Sequence, residues 1–250
     1  MNHHLTIDPV EWEARCQLAA LYRLIAYYKM TDLIDTHISL RVPDEPNHFL
    51  INRYGVTFDK MRASDLVKID HEGHIVEIYD KGKRVNVAGF VIHSAIHHAK
   101  PSLNCVIHTH TADGIAVSAQ QDGLLPISQH ALKFYRRISY HSYEGIALSL
   151  DERERLVEDL GENKAMILRN HGLLVAGESL AHAFQEIYFL ERACQIQVKA
   201  LSSQKLIYPS KELCEFTAKQ FEQDDEAGII LDAWHAALSM IEQDKADYCS

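Results

Sequence analysis

No stretch of about 18 apolar residues occurs in this 250-residue sequence, so no membrane-spanning helix is expected. Positive charge is scarce. Lys and Arg number 25 against 35 Asp and Glu, leaving a net charge of −10. Nucleic acids are held through basic patches, so that class of partner is not expected. Cysteine is sparse as well. Cys16, Cys105, Cys194, Cys214 and Cys249 are scattered, odd in number and form no C-x-x-C pair. That pattern suits free thiols in a reducing compartment. The first residues lack a basic segment followed by an apolar run, so no secretory signal is expected and a cytoplasmic location is. Repeats and low-complexity tracts are missing too.

What is present is an ordinary globular composition, 47% hydrophobic and 24% charged, in a chain long enough to bury a large core. Helical spacing of Trp12, Cys16, Ala19, Ala20, Leu24 and Tyr27 predicts a helix from about Pro9 to Met30, with Asp8 as its N-cap. His37–Val42 alternates and stops at Pro43, which predicts a strand. A second short strand covers Phe49–Ile51. Leu66–Ile69 and Ile75–Ile78 flank His71-Glu72-Gly73 and read as a hairpin. A helix from Gly89 to Lys100 ends before Pro101. Apolar runs at Leu103–Ile107, Ala165–Leu168 and Leu173–Ala176 read as buried strands. The longest helix runs from about Ser179 to Ser202. Residues 1–208 are expected to form one domain, and 209–250 a helical C-terminal extension packed on it.

Sixteen histidines are present, and a few are patterned. The strand ending in His108-Thr109-His110 directs side chains at i and i+2 to one side. His171 follows another apolar strand, and Gly172 allows a sharp turn there. Three such nitrogens leave an open coordination position on a metal, the arrangement of catalytic zinc sites. The competing reading is a strand-end pair that merely hydrogen-bonds. His93 and His97 lie at i, i+4 on one helix face, but without the Glu of H-E-x-x-H.

Several segments, in order, carry a resemblance. They are Asn86–His97, Pro101–Thr111, Gly123–Ser128, Tyr143-Glu144-Gly145 and Leu168–Glu178. Together they resemble the class II aldolase/adducin head-domain family from about Pro9 to Ser203. Ala88-Gly89-Phe90, His37–Arg41 and His48–Asn52 are most similar to its adducin-like branch. The resemblance implies a three-layer α/β/α domain with a mostly antiparallel central sheet. It also implies zinc, or alternatively iron(II) or another divalent metal, on His108, His110 and His171. A homo-tetramer with sites near subunit boundaries follows from the same likeness, as does a small-molecule substrate.

The departures are informative. The family's aldolases carry an acidic residue four positions before the counterpart of His93, and here that position is Gly89. Their phosphate-binding segments correspond to Thr36-His37, Asn52–Gly55 and Val87-Ala88, which do not keep the pattern. His93 is then a replacement base, a group behind the metal ligands, a fourth ligand, or a buried histidine bonded to backbone. Gly89→Glu is expected to create weak aldolase activity. Tyr135, Tyr140, His141, Tyr143 and Glu144 are further polar candidates, and Arg53, Arg136 and Arg137 are candidates for an anionic substrate. The leading expectation is a metal-dependent carbon–carbon lyase of a small carbonyl or hydroxy compound. The alternatives are a non-haem iron oxygenase or decarboxylase of a 2-oxo acid, and a non-catalytic adducin-like interaction module.

Overall fold

The computed structural model describes residues 7–146, 151–203 and 205–250. Its first helix, α1 (Pro9–Tyr27), begins as its sequence dictates: the Asp8 carboxylate accepts from the amides of Val10 and Glu11, and Pro9 takes the first turn. It ends earlier than expected. Lys29 adopts a left-handed conformation (φ 62°), and Lys29 and Met30 donate back to the carbonyls of Ala26 and Ile25. That is a Schellman closure made without the usual glycine, so the sequence gives no sign of it.

Strands β1 (His37–Val42), β2 (Glu45–Asn52), β3 (Leu66–Asp70), β4 (Cys105–Thr109), β5 (Ile138–His141), β6 (Ala165–Leu168) and β7 (Gly172–Gly177) form one sheet in the order β3-β2-β1-β4-β7-β6-β5. Every pairing is antiparallel except β5 with β6. The expected mostly antiparallel sheet is therefore present. Neither β5 nor the short helix α4 (Gln129–Leu132) stands out in the sequence, because neither is long enough to show a period.

Alternation divides the strands between two cores. On one side Ile38, Leu40, Cys105, Ile107, Leu173 and Val175 pack with Leu18, Leu21 and Ile25 of α1 and with Ile187 and Leu190 of α6 (Leu180–Ala200). On the other, Val106, Met166, Leu174 and Ala176 meet Ile92 and Ile96 of α2 (Val87–Ala99) and Leu156 and Leu160 of α5 (Glu152–Leu160). These are three layers, α/β/α. Helix α3 (Ala112–Ser118) follows β4 and packs on α6.

The expected hairpin after β3 does not form. The Asp80 carboxylate takes the amide of Lys68 and also holds the buried Arg15 guanidinium. With that strand-edge donor occupied, pairing shrinks to one bridge, Ile69 with Ile75. Glu11 completes the buried group through Arg15 and Lys68, and the segment is pinned by charge instead of by a ladder.

Beyond α6 come α7 (Lys211–Phe221), α8 (Ile229–Ser239) and α9 (Lys245–Tyr248). Ile230, Trp234, Ala237, Ile241 and Tyr248 join the same core as α1 and α6, and Trp234 meets Phe184 edge-on at 5.7 Å. Burying large side chains of this kind is worth about 1.5–3 kcal/mol each. No helix among the described residues is long and apolar enough to cross a membrane.

Candidate metal centre

Strand β4 lies between β1 and β7, with His108 opposite His37 on one side and Leu174 on the other. It delivers His108 fully buried, and the chain leaves the sheet just past Thr109 with His110 still aimed alongside. His171 arrives from the turn between β6 and β7. Asn170 makes that turn, in the left-handed conformation (φ 56°) that asparagine tolerates better than most residues. Gly172 has a different role from the one expected. Its φ is not positive, but a Cβ there would collide with the Thr109 carbonyl, so only glycine lets β7 start this close to β4.

The three imidazoles converge through one atom type. His110 Nε2 lies 2.8 Å from His108 Nε2 and 2.9 Å from His171 Nε2. The far nitrogens decide what this means. His108 Nδ1 is 2.9 Å from the Leu173 carbonyl. A carbonyl can only accept, so Nδ1 carries the proton and Nε2 a lone pair. His110 Nδ1 faces the Asp32 carboxylate at 3.3 Å, which fixes the same tautomer. Two lone pairs therefore point at each other across hydrogen-bond distance. That donor set fits a cation held among the rings, with Leu173 and Asp32 orienting them from behind. Burial keeps His108 well below the ordinary histidine range, helped by His37, His171 and His110. Burial likewise lowers His171 to about 4, with His110 and His141 adding. Neutral imidazoles are the form that binds metal.

A cavity of about 380 Å³ opens over the three rings. Asp32, Asp35, His37, Tyr54, Asn86 and Tyr143 are among its walls, and no lysine or arginine lines it among the described residues. A larger groove of about 850 Å³ beside Pro9, Leu40 and Trp234 contains no such convergence of ligands, so size does not select the site.

The other sequence candidates separate. Tyr143 reaches the cavity, its ring 6.4 Å from that of His171. His141 is buried against Asp159 at 2.7 Å. Glu144 pairs with Arg155, Arg137 with Glu215 and Glu222, and Arg53 with Asp65. Tyr135 offers its carbonyl to Arg137, Leu124 donates its amide to the Tyr140 hydroxyl, and none of these residues nor Arg136 lines the cavity. His93 is buried on α2, bonded to side chains and not to backbone. It lies outside the set of nitrogens within 4.8 Å of one another that His108, His110 and His171 make. Two residues escaped the sequence reading. Asp32 lies on a loop with no pattern. His37 shows its value only through the register that sets it beside His108.

The family model of the class II aldolase and adducin N-terminal domain matches residues 16–198. The chain belongs to this family. Its fold matches that of an aldolase II superfamily protein from Pseudomonas syringae with a TM-score of 0.93 at 50% identity, over 99% of each chain. An L-fuculose 1-phosphate aldolase from Glaciozyma antarctica PI12 superimposes with a TM-score of 0.84 at 27% identity, over 97% of this chain and 95% of that one. Alpha-adducin of Rattus norvegicus is 44% identical over 200 residues, 80% of this chain and 27% of adducin. The family thus spans aldolases and adducins.

Proposed function

We propose that the chain is a metal-dependent carbon–carbon lyase of a small carbonyl or hydroxy compound, with zinc held by His108, His110 and His171. The observation that carries this reading is the convergence of three Nε2 atoms, two of them fixed as lone pairs by Leu173 and Asp32. A bound divalent metal would supply Lewis acidity toward a substrate oxygen. The chain's own residues do the rest. Leu173 and Asp32 hold the imidazoles in register, and the cavity of about 380 Å³ above them has room for a small molecule. The cavity carries Asp32 and Asp35 and no lysine or arginine among its described walls. That lining favours an uncharged or singly charged substrate over a phosphorylated one, in line with the altered phosphate-binding segments. On the same reading Gly89 stands where the aldolases have their acid, so the proton must be handled by another group. A homo-tetramer with sites near subunit boundaries completes the proposal, and size-exclusion chromatography with light scattering tests it. Five free cysteines fit the reducing cytoplasm.

The likeness to alpha-adducin favours a second reading, a non-catalytic interaction module. Elemental analysis of the purified, untagged protein separates the two. Near-stoichiometric zinc is the expected result. Iron with ferrous-dependent oxygen uptake would move the assignment to an oxygenase or decarboxylase of a 2-oxo acid. Failure to take up any metal, even on addition, would sink the lyase reading in favour of the module.

A further inference from the structure

Beside the metal ligands lies a second histidine set that the proposed lyase chemistry has not yet used. His37 and Ser39 alternate onto one face of β1, and His93 and His97 lie one helical turn apart on α2, which covers that face. The four make a continuous chain. His37 Nδ1 is 2.8 Å from His93 Nε2, His93 Nδ1 is 2.5 Å from Ser39 Oγ, and Ser39 Oγ is 2.7 Å from His97 Nε2. All four side chains are buried. Only the His37 end meets the cavity, with its ring 4.9 Å from the His108 ring. His37 Nε2 has no hydrogen-bond partner among the described residues.

Gly89 explains why His37 can sit there. A Cβ at position 89 would lie 2.6 Å from His37 Cδ2, 2.8 Å from Cγ and 3.0 Å from Nε2. The His37 ring therefore fills the space that a side chain from α2 would enter. The polar group at this place comes from β1, and the helix position opposite is bare. A glutamate at position 89 would meet the same ring, so the activity expected of Gly89→Glu requires His37 to move.

We propose that His37 is the proton-transfer group of the site, acting through Nε2, with His93, Ser39 and His97 as positioning residues behind it. The proposal rests on the metal-lyase reading for its substrate, a small carbonyl compound with a C–H next to the carbonyl. In the step, that proton passes to His37 Nε2 while the C–H electron pair shifts toward the carbonyl oxygen. Return of the proton to carbon restores both partners, and no oxidant or co-reactant is needed.

Hydrogen-bond direction makes the chain testable. Ser39 has one proton. If it donates to His97 Nε2, it accepts from His93 Nδ1–H, His93 Nε2 accepts from His37 Nδ1–H, and His37 Nε2 is left as an acceptor. If it donates to His93 Nδ1, every bond reverses and His37 Nε2 carries the proton. The three histidines must therefore share one tautomer, all Nδ1–H or all Nε2–H.

The experiment uses the zinc-loaded full chain and its His37→Asn and Ser39→Ala variants. Long-range proton–nitrogen NMR of histidine-labelled protein should show one shared tautomer for His37, His93 and His97, and Ser39→Ala should alter the His37 nitrogens. Mixed tautomers, or a His37 signal indifferent to Ser39→Ala, would overturn the chain, and a shared Nε2–H form, which leaves His37 Nε2 no lone pair, would overturn its role as the proton acceptor. Deuterium uptake by hydroxyacetone and pyruvate in heavy water is then followed. Wild type should exchange at least one of them, and His37→Asn should fall by about 10²-fold or more with full zinc retained. Equal exchange in His37→Asn, loss of its zinc, or no exchange by zinc-loaded wild type overturns the proton-transfer role. A wild-type protein that takes up no metal fails the lyase reading instead, and the tautomer measurement, which needs no metal, then decides the His37 chain by itself. A His37→Ala/Gly89→Glu double variant serves as the swap control: exchange recovered above that of His37→Ala supports the shared space, and exchange at the wild-type rate by Gly89→Glu with His37 intact counts against it.

Discussion

Six histidines fall into two adjoining sets of three, and they use the same ring in opposite ways. In His108, His110 and His171, Nε2 meets Nε2, and the outer nitrogens of the first two are tied to a carbonyl and a carboxylate. In His37, His93 and His97, contact runs head to tail, Nδ1 to Nε2 or through the Ser39 hydroxyl. The first arrangement brings lone pairs together and fits a cation. In the second, each contact can pair one donor with one acceptor, so protons alone satisfy the bonds among these rings and Ser39. Residue type does not separate metal ligand from hydrogen-bond relay; what separates them is the partner on the far side of each ring.

Removing one histidine at a time should tell the two sets apart. His108→Ala, His110→Ala and His171→Ala should each abolish stable metal binding, and His93→Ala should leave occupancy near that of wild type. Inductively coupled plasma analysis after dialysis reads this directly. Metal retained by the triple variant, or lost from His93→Ala, would dissolve the distinction between the sets.

Acid should destabilise the metal-free protein through the buried second set. Burial holds His93 well below the ordinary histidine value, with His97 adding, and burial holds His97 there too, with Arg41 and His71 adding. In the unfolded chain both take a proton near pH 6.5, and in the native state neither does. Below that pH the unfolded state binds more protons, so stability rises with pH across the window and is complete above it. Each histidine costs up to about 1.4 kcal/mol per pH unit below its unfolded value, so stability falls as the pH is taken from 7 to 5. Urea unfolding at several pH values measures the slope, and His97→Phe should lower it. A stability independent of pH from 7 to 5 would contradict a neutral buried set.

A smaller effect belongs to Asp32. Among the described residues it bonds to the three candidate ligands through His110 Nδ1, so Asp32→Asn should weaken metal affinity by about 10–100-fold with little change in melting temperature. Competition with a chromogenic chelator reads the affinity. An unchanged affinity would mean that the carboxylate does not orient the ring.

Much of this was legible before any coordinates. Strand alternation in Cys105–His110 and the segment Asn170-His171-Gly172 located the metal-ligand candidates, because period and punctuation are local properties. The three layers followed from the family likeness. What stayed hidden depends on register or on non-local charge. His37 matters because β1 pairs with β4 at that position. The hairpin after β3 failed because a carboxylate from position 80 took the amide of Lys68. Asp32 sits on a loop whose sequence has no period to read.

The mildest substitution tests the contact between the two sets' surroundings. Gly89→Ala adds one methyl group, but that carbon would meet the His37 ring at 2.6 Å and 2.8 Å. The ring cannot swing aside freely, since Nδ1 is held by His93 and the side chain is buried. Overpacking of this kind costs about 1–3 kcal/mol, a drop of roughly 2–12 °C in melting temperature for a chain of this size. His37→Ala removes the obstacle, so Gly89→Ala should cost far less in that background. The coupling in a double-mutant cycle should then reach about 1 kcal/mol or more. Additive losses would mean that the two positions do not compete for one space, and the replacement of a helix-borne group by His37 would lose its physical basis.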